Sequence, residues 1–242
     1  MRLPAGAIEM RVVVVVSANA EWNAIRSLLP QAAAQSTPFG ESLEVEIENR
    51  PVVLFQGGWG KVSAAASAQY VIDLFKPDLL VNLGTCGGFQ GRIEQGIVIL
   101  VEKTIIYDIV EQMTDPEEAI ERYTTKLDLT WLPRLTPSPV LRGPMISADR
   151  DILREDIPIL IKKYDAVAAD WESGSIAWVA QQNHQKLLIL RGVSDLVGAD
   201  GDAVYGEYEL YAARAREIMR RLIEALPKWL TAIEKVQQGY HV

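Results

Sequence analysis

Short, unbroken apolar runs alternate with helical segments along this chain, and this alternation leaves few folds open to it. Val12 to Val16 is a continuous β-branched run, and Leu79 to Leu83 and Leu187 to Leu190 are similar apolar runs. Such runs suit strands that are buried on both faces, as in a sheet covered by helices on each side. The chain is therefore predicted to be an α/β protein with three layers, α/β/α, and a mixed, mainly parallel central sheet.

Helical periodicity and helix-breaking residues place the remaining elements. The first helix is predicted to end at Pro30 and the second just before Pro77, because proline cannot continue a helix. The predicted helices cover residues 19–29, 62–75, 172–182 and 206–236. The other predicted strands are 43–48 and 52–55, which form a hairpin, and 97–101, 104–107 and 166–169.

No flexible Gly/Ser-rich linker divides the sequence, so residues 1–242 are predicted to form a single domain. Residues 1–10 are interpreted as an N-terminal extension. The segment 111–139 contains four prolines and is the least regular part of the sequence. It is predicted to be an irregular excursion from the sheet, with one short acidic helix near Pro116 to Tyr123.

Composition argues against several classes of function. The net charge of −8, without a stripe of Lys and Arg, disfavours nucleic acid as a partner. Cys86 is the single cysteine, and His184 and His241 are the two histidines, so neither a disulfide, a metal site nor a cofactor is expected. The N-terminal apolar run is too short for a signal peptide, and no run approaches the ~20 apolar residues of a membrane span. A cytoplasmic protein without a membrane partner is expected.

Four segments that follow predicted strands hold candidates for a ligand site, because in sheets of this type the site lies at the carboxyl ends of the strands. These segments are Glu21, the glycine-rich stretch 84–88, the block 170–173 and the block 191–195. The three glycines of 84–88 are expected to allow positive φ and close approach of the backbone to a ligand.

The same segments resemble a known family. Part of the resemblance is carried by three stretches, which are Gln56-Gly-Gly-Trp-Gly-Lys-Val-Ser, Lys76-Pro-Asp and Leu-Val-Asn-Leu-Gly-Thr-Cys-Gly-Gly-Phe. They resemble the glycine-rich helix and strand of the methylthioadenosine/S-adenosylhomocysteine nucleosidases, in the nucleoside phosphorylase superfamily. Asp170-Trp-Glu-Ser is similar to that family's acidic-Met-Glu signature, and Arg191-Gly-Val-Ser-Asp to its Arg-x-Ile-Ser-Asp signature. The resemblance implies a nucleoside phosphorylase-like fold and an N-ribosyl hydrolase that releases adenine from methylthioadenosine or S-adenosylhomocysteine.

Asp195 is implied by this resemblance to be the general acid. Cleavage of an N-glycosidic bond leaves electron density on the purine, and a carboxylic acid that protonates N7 makes the base a better leaving group. Burial of a carboxyl group favours the protonated form that this step requires. Taken alone, the residue fits an aspartate at a helix N-cap better than a catalytic acid.

Two glutamates are implied to act with it. Glu172 would accept hydrogen bonds from the ribose hydroxyls while positive charge develops at C1′. Glu21 would take a proton from the attacking water, which Thr85 and Arg191 help to hold. In isolation, Glu172 is equally an ordinary first-turn glutamate favoured by the helix dipole, and Glu21 a glutamate on a helix surface.

The resemblance also implies a set of residues that bind the substrate. Trp171 stands where the family has methionine, and it is expected to pack on the sugar. Asp151 stands at the position of the family's purine-stacking aromatic residue, so the ring must come from elsewhere, while the backbone of Ile152 is expected to read the edge of the base. The candidates for the ring are Tyr107, Phe89 and Tyr205. The predicted substrate-binding residues also include Ser173, Gly87 and Cys86. Cys86 is expected to be a small buried residue rather than a nucleophile.

The sequence favours attack by water over attack by phosphate. A nucleotide phosphate loop is ruled out, because Phe55 and Val62 occupy positions that its pattern reserves for glycine and for Ser or Thr. Phosphorylases of the superfamily carry an arginine before the Gly-Ser-Cys-Gly loop, and this chain has Asn82 there. Without that fixed positive charge, and with Glu21 nearby, a phosphate dianion would not be held.

Two alternatives stay open. One is another hydrolase or phosphorylase of the superfamily, acting on futalosine or on a purine nucleoside, and the other is a non-enzymatic module that binds a nucleoside. In each case the ligand is a small purine nucleoside. The resemblance further implies a homodimer or a larger homo-oligomer, because relatives build part of the pocket from a neighbouring subunit.

Overall fold

The computed structural model describes residues 10–198, 201–202 and 206–240, and eleven strands and six helices lie in these ranges. The strands are β1 Val12–Val16, β2 Ala34–Thr37, β3 Gly40–Ile47, β4 Arg50–Gln56, β5 Leu79–Phe89, β6 Val98–Ile106, β7 Thr124–Lys126, β8 Leu141–Ser147, β9 Ala168–Asp170, β10 Leu187–Gly198 and β11 Gly201–Asp202. The helices are α1 Asn19–Leu28, α2 Gly60–Phe75, α3 Pro116–Arg122, α4 Ile157–Tyr164, α5 Ser173–Gln182 and α6 Tyr208–Gln237.

All eleven strands belong to one mixed sheet. At its centre, β4, β1, β5 and β10 are neighbours and run parallel. Beyond β4, the strands β3 and β2 continue the sheet in antiparallel pairing. On the other side β10, β6, β8, β9 and β5 pair in a closed ring, because β10 is hydrogen-bonded to both β6 and β5. The parallel centre brings the carboxyl ends of β1, β5 and β10 to the same edge.

Different helices cover the two faces of the sheet. Alternate side chains of β1 enter different cores, because successive residues of a strand point to opposite faces. Val14 lies in the core that includes residues of α1 and α6, whereas Val15 lies in the core that includes residues of α2 and α5. A third core, around Phe89 and Ile146, packs against α4. The prediction of a three-layer α/β fold with a mixed sheet is confirmed.

The strands β5 and β10 are longer than predicted. They pair in parallel from Leu80 with Leu187 as far as Phe89 with Val197, so the glycine-rich stretch 84–88 is strand and not loop. The expectation of positive φ at Gly84, Gly87 and Gly88 is wrong, because these glycines have extended backbones. At Gly84 the backbone lies close to a buried side chain, since a Cβ there would be 2.2 Å from Nη1 of Arg191.

Five further elements were not predicted: β2, β7, β8, β11 and α4. The segment 111–139 contains the expected short acidic helix, α3, whose first turn is capped by the carboxylate of Asp115, which accepts a hydrogen bond from the Glu117 N–H at 2.9 Å. It also contains β7, which pairs with β6. Of the predicted N-terminal extension only Met10 is described, and it is buried. Among the described helices, none is long and apolar enough to span a bilayer.

Candidate active site

A cavity of about 680 Å³ lies at the carboxyl ends of β1, β5 and β10. Glu21, Glu172 and Asp195 all line it, and none of them is more than 5% exposed. They come from three separate elements: Glu21 from the first turn of α1, Glu172 from the residue before α5, and Asp195 from β10. Three carboxyl groups that lie far apart in the sequence therefore share one cavity.

Glu21 is held by donors from both sides. Its Oε1 accepts hydrogen bonds from the backbone N–H of Thr85 at 2.5 Å and from the Thr85 hydroxyl at 2.8 Å. Its Oε2 accepts one from the N–H of Ala18 at 3.1 Å, as a glutamate in the third position of a helix can do for the residue that caps it. Glu21 is 2% exposed, so the interpretation as a surface glutamate is wrong.

Arg191 lies beneath the cavity, and it is completely buried. Its Nη2 donates to Oδ1 of Asn82 at 2.7 Å and lies 3.1 Å from Oδ2 of Asp170, while its Nη1 lies 4.0 Å from Oε1 of Glu21. A buried guanidinium is tolerated only when carboxylates and other acceptors surround it. Arg191 thus links β10 to α1, β5 and β9, and it does not line the cavity itself.

Asp170 is the member of this network that sequence reasoning missed as a site residue. Its Oδ1 accepts hydrogen bonds from the hydroxyls of Ser147 and Ser173, at 2.6 and 2.9 Å, and both of its oxygens accept from the Ser173 N–H. Ser173 is therefore not in the cavity as predicted, but fully buried against Asp170. The signal was present in the sequence, because Asp170 opens the same acidic block that holds Glu172.

The carboxyl group of Glu172 is strongly perturbed by its surroundings. It precedes α5 and makes no capping bond to its own helix, so it is not the first-turn glutamate of the alternative interpretation. Instead its Oε1 accepts a hydrogen bond from the Gly60 N–H at 3.1 Å. Burial, and then the neighbouring carboxylate of Asp170, raise the pKa of Glu172 to about 8, against the opposing effect of Arg191.

Asp195 enters the cavity from a bulge in β10. The register between β10 and β5 shifts between Val193 and Asp195, so Ser194 is the extra residue of the longer strand. Bulges of this kind redirect side chains next to functional sites. The Ser194 hydroxyl donates to Oδ1 of Asp195. Asp195 is part of a strand, so the N-cap interpretation is wrong.

Residues of β5 form the cavity floor, where Thr85, Cys86 and Gly87 are all lining residues as predicted. Cys86 is a free, buried thiol, and burial raises its pKa well above the usual value. It stays protonated at neutral pH, which fits a packing role rather than a nucleophile. Within the described parts of the chain, no group of three or more His, Cys, Asp or Glu residues is arranged to hold a metal ion.

The loop after β8 forms another wall through Arg150, Asp151 and Ile152. It is fastened to α2 by Asp149, whose Oδ1 accepts from the Lys61 N–H at 2.7 Å, and Lys61 Nζ forms an ion pair with Asp108. The sequence predicts that this loop recognises the base, and the bond between Asp149 and Lys61 fixes the loop to the start of α2.

The aromatic rings of the cavity are not the ones that the sequence suggested. Phe89 is wholly buried in the third core, and Tyr107 packs near Tyr164 outside the cavity, so neither offers a ring to a ligand there. Tyr205 lies outside the described residues. The rings that do line the cavity are those of Trp171, which was predicted, and of Trp59, Tyr208 and Tyr211, which were not.

Trp59 and Trp171 stack on each other, with ring centroids 5.0 Å apart and an interplanar angle of 19°. Trp59 belongs to the glycine-rich block before α2 and is 66% exposed at the cavity mouth. The position of Trp59 in that block could have marked it as a site residue from the sequence. Its stacking partner, Trp171, is evident only from the fold.

The fold and the site together define a class of protein. It is an α/β/α protein in which three buried carboxyl groups line a cavity at the carboxyl ends of the strands. The chain belongs to the phosphorylase superfamily, whose family model matches residues 11–227.

Several relatives are similar over most or all of their length. The 5′-methylthioadenosine/S-adenosylhomocysteine nucleosidase of Bacillus licheniformis is 24% identical over 230 residues, which cover 90% of this chain and 100% of the relative. That of Maridesulfovibrio salexigens is 29% identical over 180 residues, 69% of this chain and 78% of the relative. The solved Streptococcus pneumoniae MTA/SAH nucleosidase with 8-aminoadenine has a TM-score of 0.73 at 20% identity, covering 92% and 100% of the two chains. The structural likeness shows a common fold.

Proposed function

We propose that this protein hydrolyses the N-glycosidic bond of a purine nucleoside, methylthioadenosine or S-adenosylhomocysteine, and releases adenine. The observation that carries the proposal is that Glu21, Glu172 and Asp195 line one cavity of about 680 Å³. That volume lies within the range of small-molecule sites, roughly 300–1,000 Å³. The proposal is supported by the relatives, whose names are those of nucleosidases for the same two substrates.

The three carboxyl groups have different roles in this proposal. Asp195 protonates N7 of the purine, so that the base leaves as a neutral molecule. Glu21 takes a proton from the attacking water, whose oxygen forms the new bond to C1′ as the bond to the base breaks. Glu172 binds the ribose hydroxyls. Because its pKa is about 8, Glu172 holds a proton at neutral pH in the free protein, and two hydroxyl donors would favour its ionised form.

Water is the proposed nucleophile because Arg191, the arginine that pairs with Glu21, is already engaged by other residues. Asn82, which stands at the position of the phosphorylase arginine, accepts from Arg191 and donates to the backbone carbonyl of Val15 at 3.0 Å. Arg191 itself is buried among Asp170, Glu21 and Asn82. A phosphate dianion would find the Glu21 carboxylate and no free arginine among these residues.

An assay of free adenine tests the proposal. The purified protein is expected to release adenine from methylthioadenosine at the same rate with and without phosphate. Release that depends on added phosphate would assign a phosphorylase. Release from futalosine or another purine nucleoside alone would assign another substrate, and ligand-induced thermal stabilisation without any base release would assign a binding module.

We further propose a cytoplasmic homodimer or larger homo-oligomer that needs no cofactor. Trp59 and Val62 are three residues apart, 66% and 82% exposed respectively, and large exposed apolar side chains near a cavity mouth suit a subunit interface. Light scattering coupled to size-exclusion chromatography measures the assembly, and a monomer at micromolar concentration would contradict it.

A further inference from the structure

Tyr211 places a hydroxyl group in the cavity beside Thr85, which is hydrogen-bonded to Glu21, the base of the proposed reaction. It lies in the first turn of α6, and its Oη is 3.3 Å from Oγ1 of Thr85. Both residues line the cavity together with Glu21. Nothing in the local sequence distinguishes Tyr211 from the other tyrosine at the start of this helix, Tyr208.

The direction of the hydrogen bonds follows from counting protons. A threonine hydroxyl has one proton, and that of Thr85 is donated to Oε1 of Glu21 at 2.8 Å. In the contact between the two hydroxyls, Tyr211 must then be the donor and Thr85 the acceptor. Burial raises the pKa of Tyr211, and the Glu21 carboxylate raises it further, so the phenol keeps its proton throughout the working pH range.

This arrangement distinguishes the two oxygens of Glu21. Oε1 accepts from both the N–H and the hydroxyl of Thr85, whereas Oε2 accepts from the N–H of Ala18. A carboxylate oxygen has two lone pairs, so these bonds fill Oε1 and leave capacity on Oε2 for one more proton. Oε2 is thus the oxygen able to take a proton from water, as long as the Thr85 hydroxyl stays directed at Oε1.

We propose that Tyr211 is a positioning residue for the attack step, in which its hydroxyl holds that of Thr85 toward Oε1 of Glu21 so that Oε2 faces the attacking water. The inference rests on the proposed function, in which Glu21 is the base. In the balanced step, water gives its proton to Oε2 and its oxygen bonds to C1′, while the electron pair of the broken glycosidic bond goes to the purine that Asp195 protonates. Tyr211 itself gains and loses no proton.

Steady-state kinetics of adenine release from methylthioadenosine test this role. Tyr211→Phe is expected to lower kcat by about 5- to 20-fold, the effect of one lost hydrogen bond in a buried network, with KM within about twofold of the wild type. Tyr70→Phe is the control, because Tyr70 packs with Phe39 and Phe55 away from the cavity, and loss of its hydroxyl should leave kcat unchanged.

A set of double variants separates positioning from general packing. In the Thr85→Ser background a hydroxyl remains, so Tyr211→Phe should again lower kcat by about 5- to 20-fold. In the Thr85→Val background the acceptor is gone, and Tyr211→Phe should have almost no further effect. Equal losses in the two backgrounds, an unchanged kcat, or a loss confined to KM would overturn the inference while leaving the proposed function intact. Absence of adenine release by the wild type would instead remove the proposed function, and this inference with it.

Discussion

The backbone N–H of Gly60 donates to the carboxyl group of Glu172 at 3.1 Å, across 112 residues of sequence. This bond connects the start of α2 to the start of α5. On one side of Gly60, Trp59 stacks on Trp171 and so strengthens this connection, while on the other side the Lys61 N–H binds Asp149 in the loop after β8. The glycine-rich block resembles a phosphate loop in composition, but its role in this fold is to fix the position of a carboxyl group.

The first prediction concerns Gly60. Its φ is +81°, and a Cβ there would lie 3.1 Å from Oδ1 of Asp149. Gly60→Ala should cost about 1 kcal/mol from the backbone alone and should also displace the N–H from Glu172, raising KM for the nucleoside by about fivefold. Gly91→Ala is a matched control, because Gly91 has a φ of +83° with nothing within 4 Å of the added Cβ. Similar KM values in the two variants would contradict the role of Gly60 in placing Glu172.

The second prediction concerns Glu172 and pH. Its pKa is about 8 in the folded protein and about 4.5 when unfolded, so between these values the folded state holds a proton that the unfolded state has lost. Stability must therefore fall as pH rises through this window. Thermal unfolding of the wild type between pH 5 and pH 8.5 should show the fall, on the order of a few kcal/mol, and Glu172→Gln should show a much smaller one. Glu118→Gln, on an exposed residue, should keep the wild-type slope.

Local patterns predicted the frame of this fold because its strands are strongly apolar. Val12–Val16 was predicted with its observed bounds, and the predicted hairpin formed between β3 and β4. The ends of β5 and β10 were predicted too early, because glycine is a poor strand former and its local signal favours a loop. Their mutual pairing, more than 100 residues apart in sequence, outweighs that signal.

The site residues also divide into those that local sequence motifs reveal and those that only the fold reveals. The carboxyl groups of Glu21, Glu172 and Asp195 lie in motif blocks, so the sequence could nominate them. Tyr211 could not be found this way, because its significance depends on where α6 packs relative to β5. The bulge at Ser194 could not be predicted from the sequence either, because a bulge is defined by the register between a strand and its partner.

The third prediction concerns Arg191, which is fully buried with its charge balanced by Asp170 and Glu21. Arg191→Met removes the cation and leaves those carboxylates facing each other, so the protein should lose about 3–5 kcal/mol of stability in denaturant unfolding. Arg220→Met also breaks ion pairs, but these lie on the surface of α6, and the loss should be much smaller. Equal losses in the two variants would mean that the buried network is not essential to the fold.

The last prediction separates catalysis from binding at Asp195. Asp195→Asn keeps the shape of the side chain in the β10 bulge but removes the acid, so kcat for adenine release should fall by about 10²- to 10⁴-fold. Binding of the nucleoside, measured by calorimetry, should stay within about threefold of the wild type, because one hydrogen bond at most is altered. Asp165→Asn makes the same chemical change at an exposed residue that pairs with Arg92, and it should retain full turnover. Wild-type turnover by Asp195→Asn would exclude Asp195 as the proton donor, and the leaving base would then have to gain its proton from solvent.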